Sequence, residues 1–334
     1  MKPVIFSIKP TPSYLTFLPC ICGINWKNRY SEQYESFLAD SDRTFLADHA
    51  SKLTFGDGNG DHFVELFYFL PAHIGFEQDK RTIEYFQVLG HCASQNNMTQ
   101  LFVRFQTHIS EIRLFYPGFM KSFEGNITHE SFAQIHNLAA IYQRNYEPFL
   151  NRVWFPSCQD LDNDRFEVET LFKGKDLISD WEHLTGFTFQ TDAYHISLIP
   201  YLLNGPQANS LSYGKNLFPL GTDQGTLDYY QFFVSHEIGT HIFKKHTFDL
   251  FHSDDAELNS VAYIAMENIA RYYNLKILPA SRRYTLSEEF YHDSVFEQIF
   301  ETLEKEYPGD IEKQYLESIK RFSESAKDEV RSTK

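Results

Sequence analysis

Apolar side chains recur every three or four residues through most of residues 30–184, and this period commits the region to amphipathic helices before any motif is considered. The stretches "TIEYFQVLGHCASQ", "MTQLFVRFQTHISEIRLFY" and "HESFAQIHNLAAIYQRNYEPFLNRVWF" all show it. "DRFEVETLFKGKDLISDWEHL" reads as a further helix with a weak point at Gly174. The texture changes near Gly186. "GFTFQTDAYHISLIPYLL" is aromatic and β-branched and reads as strands, "NGPQAN" as a turn, and "SLSYGKNLFPLG" as one or two short strands. "TLDYYQFFVSHEIGTHIFKKH" returns to helix with Thr226 as its cap, followed by "DDAELNSVAYIAMENIARYYN" capped by Ser253 or Asp254. Two more helices are expected over about 287–306 and 309–327, on the same periodicity. The first residues, interrupted by prolines and Lys9, read as a strand or extended arm. The fold class expected is α+β, mostly α: a helical region over 1–184, then a second region over 185–334 with a small sheet and a helical half.

Composition narrows the function classes. The 32 Phe and 20 Tyr imply an aromatic core. A formal charge of −15 argues against nucleic-acid backbones, which need clustered Lys and Arg, and against anionic membranes. No apolar run reaches the roughly 18 residues of a membrane span. Four cysteines, with Cys20 and Cys22 one residue apart, fit free thiols in a reducing compartment, so a cytoplasmic protein is expected.

"FGDGNGDHF" begins like a calcium loop at Asp57, Asn59 and Asp61. The pattern then fails, with His62 where glycine is required and Tyr68 at the twelfth position. It reads as a turn before a strand-like "FVELFYFL". "NIT" at 126–128 matches a glycosylation acceptor without a secretory context.

"SHEIGTHIF" (235–243) holds the chemistry. His236, Glu237 and His241 are the residue types of a zinc site, but the histidines are five apart rather than four. On a regular α-helix a five-residue step rotates about 140°, onto different faces. A one-residue π-bulge, with about 4.4 residues per turn, would bring them together, and Gly239 makes a bulge at Ile238–Thr240 the specific expectation. Glu267, 26 residues past His241, is the preferred third ligand. His246 competes but no turn-forming glycine precedes it, and Glu257 is a weaker option.

These residues resemble the "HE-[IV]-GTH" segment of a family of HExxxH zinc metallopeptidases that includes the microtubule-associated tyrosine carboxypeptidases and related bacterial proteins. That family has Glu-Gly-Leu-Ala about 25 residues later; here Glu267-Asn268-Ile269-Ala270 stands at that distance. The likeness covers Leu211 to Tyr273, less than a quarter of the chain. Asn268 departs from the family's glycine, and the loop "SRRYT" (281–285) is a loose stand-in for its arginine-rich segment. The resemblance implies a gluzincin-like metallopeptidase, with an edge strand beside the active site and the helical first half as the opposing wall. It implies zinc held by His236, His241 and Glu267, Glu237 as general base, and a peptide or protein substrate, with carboxypeptidase-like action in view. Tyr263, Tyr284, Tyr291, His292 and His195 are candidates to stabilise the intermediate; Tyr263, Arg282 and Arg283 are candidates to bind substrate. The alternative is a non-catalytic binding or regulatory protein on the same scaffold.

Overall fold

A computed structural model describes residues 2–24, 29–54, 63–125, 127–202, 208–220, 227–251, 253–279, 286 and 288–332. The chain forms two compact units, each discontinuous in sequence. One comprises Val4–Thr170 with His195–Asp223, the other Met1–Pro3, Leu171–Tyr194 and Gln224–Lys334. A single cut near residue 184 therefore does not describe the division: the sheet belongs with the helical first part, and Leu171–Tyr194 belongs with the C-terminal helices. Helices dominate, beside one mixed four-stranded sheet. Among the described residues no helix is long and apolar enough to cross a membrane.

In the first unit the sheet order is β1 (Val4–Ser7), β2 (Tyr194–Ile199), β4 (Lys215–Pro219), β3 (Asn209–Ser212). β2 and β4 run parallel, His195 opposite Lys215 and Ile199 opposite Pro219. β3 lies antiparallel on β4 with a bulge between Ser210 and Ser212, past which Ser212 pairs with Lys215. After β1 the chain enters a helix, Pro10–Ile21, that the proline pattern had hidden. Pro10 opens the first turn, where its missing N–H costs no bond, and Thr11 through Ile21 are all buried. The helix Leu70–Glu77 crosses closely at Gly75, where a Cβ would lie 2.3 Å from Thr11 Cβ. Around Tyr14, the rings of Tyr142, Tyr146 and Phe149 pack at 6.0, 5.1 and 5.2 Å, giving the aromatic core its anchor.

The strand-like "FVELFYFL" is helical instead, a π-turn over Glu65–Phe69 running into Leu70–Glu77. Its aromatic composition mimics a strand, but Phe63, Leu66, Phe67 and Leu70 are buried at three- and four-residue steps. The calcium-like Asp57, Asn59, Asp61 and His62, and Asn126 of "NIT", lie outside the described residues.

A polar cluster is built into this unit. His73 is fully buried, with Nδ1 3.1 Å from His108 Nδ1 and Nε2 3.1 Å from Ser212 Oγ. Lys215 donates to Glu77 and Glu111 at 2.6 and 2.9 Å. Burial, then the positive Lys215 and His108, holds the His73 imidazole down to about 2. The unfolded chain therefore takes a proton here below about pH 6.5 that the folded chain refuses, so stability falls as pH drops below that point. Denaturant unfolding between pH 7.5 and 5 is expected to show this loss, with His73→Gln removing up to ~1.4 kcal/mol per pH unit of the slope. An identical slope in the variant would show that His73 is not buried neutral.

The second unit is helical. Leu177–Thr185, N-capped by the Asp176 carboxylate on Ser179 N–H and ended at Gly186 (φ 72°), carries Trp181. Leu227–His246 carries the HE motif. Ala256–Ile277 carries Glu267 and is capped by Asp255, which accepts from Glu257 and Leu258 N–H, where Ser253 or Asp254 was expected. The Asn274 amide donates to Phe232 O at 2.9 Å and so ties these two helices. Asp293–Glu306 and Ile311–Ser332 follow; Tyr315 donates from the latter to Ala262 O at 3.0 Å.

Candidate functional site

The HE helix and the Glu267 helix meet at one polar contact. His236 Nε2 stands 3.1 Å from Glu267 Oε2, and their side chains are 2% and 12% exposed. The Phe232 ring, one turn back, lies parallel to the imidazole at 6.2 Å and helps hold its plane. His236 Nδ1 is buried with no hydrogen-bond partner among the described residues. Glu237, next along the helix, is half-buried, and its carboxylate shares an environment with Glu267: both lie within electrostatic reach of the Tyr291 phenol. Tyr263, one turn before Glu267, is 39% exposed and its hydroxyl bonds that of Tyr291. Burial, then the negative Glu267, pushes the Tyr291 phenol well up, so it stays protonated and able to donate.

His241 does not join them. The helix runs Leu227–His246 with no π-turn, so the bulge expected at Ile238–Thr240 is not formed. His241 is fully buried elsewhere on the helix, edge-on to the Tyr194 ring at 5.3 Å. Burial, then Lys244, lowers its imidazole to about 3. The reason lies at Gly239. A Cβ there would sit 2.4 Å from Trp181 Cζ2, so the glycine is the floor on which the indole packs. Trp181 Nε1 donates to Ser235 O at 2.8 Å and Ser235 Oγ at 3.0 Å, and Thr240 Oγ1 donates to Glu237 O at 2.9 Å. The residue read as freedom to bulge is a close-packing contact.

His246 lies flat on Phe187 at 4.6 Å, with Nε2 3.2 Å from Thr188 O. Glu257 sits in the first turn of its helix, ten residues before Glu267. His292 has φ 54° and packs against Phe322. His195 belongs to the other unit, beside Phe76. Tyr284, Arg282 and Arg283 lie outside the described residues. Arg271, four residues past Glu267, is buried and held by Glu297 at 3.1 Å and Asp293 at 3.7 Å, so it is no substitute clamp.

Two residues make contacts that their own sequence segments do not signal. Asn268, where the resembling family has glycine, is buried; its amide donates to Ile264 O at 3.0 Å and Tyr291 O at 2.6 Å. Trp181 is the other, and nothing in its own segment signals the partner.

Zinc was expected here. Two donors on one tetrahedral zinc, with bonds of about 2.0–2.2 Å, lie about 3.3 Å apart, and His236 Nε2 and Glu267 Oε2 match that separation. The third donor does not fit: among the described residues no three His, Cys, Asp or Glu side chains form a group that could hold a metal. No family model matches the chain, and no curated protein or solved structure matches it.

Proposed function

We propose that the chain is a zinc-dependent peptide hydrolase whose centre is His236, Glu237 and Glu267, with Tyr263 at its rim. The observation that supports it best is the 3.1 Å contact between a buried imidazole and a nearly buried carboxylate, with the second imidazole nitrogen left unpaired. A buried polar atom without a partner costs about 1–3 kcal/mol, and a bound ion or an ordered water are among the explanations for one. Were zinc held by His236 and Glu267, it would supply an acidified water and a Lewis acid for a carbonyl. The protein's own groups divide the remaining work. Glu237, half-buried and one residue from His236, takes the proton from the attacking water and returns it to the leaving amine. Tyr263, 39% exposed and one turn before Glu267, would offer a ring to the substrate.

A specific observation favours a second reading, a binding or regulatory protein on a metallopeptidase-like scaffold. The unbroken helix keeps His241 away from His236, so the three-donor shell is not assembled. Digestion of a peptide library by the zinc-loaded chain beside its Glu237→Ala variant separates the two. The hydrolase reading requires cleavage by the first and none by the second; no cleavage by either supports the binding protein.

A further inference from the structure

We infer that a cavity beside the helix Thr99–Arg104 binds a small organic cation with an apolar body, the class of aromatic and alkyl amines. The cavity has a volume of about 410 Å³, and small-molecule sites span roughly 300–1,000 Å³. It lies wholly within the sheet-bearing unit and shares no residue with the HE helix or the Glu267 helix. It therefore stands independently of the hydrolase reading.

The walls are built by the backbone. The helix Arg81–Ser94 ends and Asn96 turns the chain at φ 51°, a left-handed conformation that asparagine tolerates. Asn97 N–H then donates to Cys92 O at 3.0 Å, and Asn97 Oδ1 accepts from Thr99 N–H at 2.8 Å, which starts the next helix. On the other segment Met120 takes φ 61°, which methionine rarely does, and leads into the 3₁₀ turn Lys121–Phe123. The Glu65 carboxylate holds that turn by accepting from Met120 N–H at 3.1 Å. Walls fixed in this way leave little ordering for a ligand to impose.

The lining selects the ligand's charge. Phe102, Phe123 and Phe132 supply three rings, and Val103, 70% exposed, adds apolar surface on the solvent side. Among the described residues the one charged side chain in the lining is Glu124, 49% exposed, and no cationic side chain lines the cavity. An anion would therefore meet a carboxylate and the negative faces of the rings, whereas an ammonium is attracted by both. The chain already receives one cation at this wall. The Arg113 guanidinium lies over the Phe102 ring at 5.9 Å, and its Nη2 stands 2.7 Å from Glu124 Oε1. Arg113 Nε is committed to Phe119 O at 2.9 Å. A ligand ammonium would use the same two kinds of partner, a ring face and a Glu124 oxygen, with the side-chain oxygens of Asn96 and Thr99 as further acceptors. The formal charge of −15 raises the concentration of cations near the surface.

The test is a titration of the full chain, followed calorimetrically and by methyl NMR, with three probes of matched body and different head: phenethylamine, 2-phenylethanol and phenylacetate. The amine is expected to bind saturably and about tenfold or more tighter than the alcohol, with the carboxylate weakest. Shifts should concentrate on the methyl groups of Met98, Val103 and Ile127, which line the cavity. Glu124→Gln, a change at an exposed position, should bring the amine close to the alcohol. Phe102→Leu, which keeps apolar bulk and removes the ring face, should weaken the amine more than the alcohol; circular dichroism checks that both variants fold. Equal binding of all three probes would overturn the inference by making the cavity merely apolar, and tighter binding of the carboxylate would reverse its sign. Absence of saturable amine binding, shifts confined to other methyl groups, or full amine affinity in Glu124→Gln would each overturn it as well.

Discussion

Glu237→Ala is expected to lower kcat/KM on a peptide substrate by about 10²- to 10⁴-fold, the range contributed by a positioned general base. Zinc content and fold should be unchanged. Glu237 is half-buried, one residue from His236, and takes no part in the His236–Glu267 contact, so under the proposed function its loss would remove a proton acceptor and leave that pair in place. Glu237→Gln tests the same point at constant shape, since an amide cannot take the proton. Steady-state kinetics with metal analysis on the same samples decides the matter. Retained hydrolysis would exclude Glu237 as the base; loss of zinc together with activity would place it in the metal's own coordination.

Gly239→Ala should destabilise the second unit by about 1–3 kcal/mol, as overpacking a filled interior does. The sign is informative, because alanine in a helix interior is ordinarily favoured over glycine by about 1 kcal/mol. Here the added methyl would stand 2.4 and 2.5 Å from Trp181 Cζ2 and Cη2. The indole has little room to retreat. It is fully buried, its N–H is committed to Ser235, and its ring meets Phe243 edge-on at 5.9 Å. Urea unfolding of the variant measures the change. A neutral or stabilising result would mean that the helix moves freely off Trp181, and the bulge that would carry His241 toward His236 would then become accessible.

The pairing of His236 with Glu267 was legible in sequence because it depends only on two helices, a connecting loop and a side chain of the right type at the right separation. The α+β, mostly helical class was legible for a similar reason: periodicity is local, and it marked the helices from Thr82 to Phe155 well. What failed was non-local. "FVELFYFL" has strand composition, yet its burial against neighbouring helices selects a π-turn. Pro10 and Pro12 read as breakers, yet the first turn of a helix accepts them. Gly239 is the sharpest case. Glycine serves either an unusual dihedral or a close approach, and only the distant Trp181 shows that here it is the second. Asn268 belongs with these, since its tether to Tyr291 spans 23 residues.

The central claim is that the His236–Glu267 contact is half of a metal site. The direct measurement is a crystal structure of the zinc-loaded chain with anomalous scattering recorded on both sides of the zinc absorption edge. A peak about 2.0–2.2 Å from both His236 Nε2 and a Glu267 carboxylate oxygen is the predicted result, with Glu237 outside the shell. If His241 is the third ligand, the helix between Ile238 and Thr240 will have loosened into the bulge that is absent here. No zinc peak at this pair, with the His236–Glu267 hydrogen bond intact, would contradict the account and leave the two side chains as a structural contact between helices.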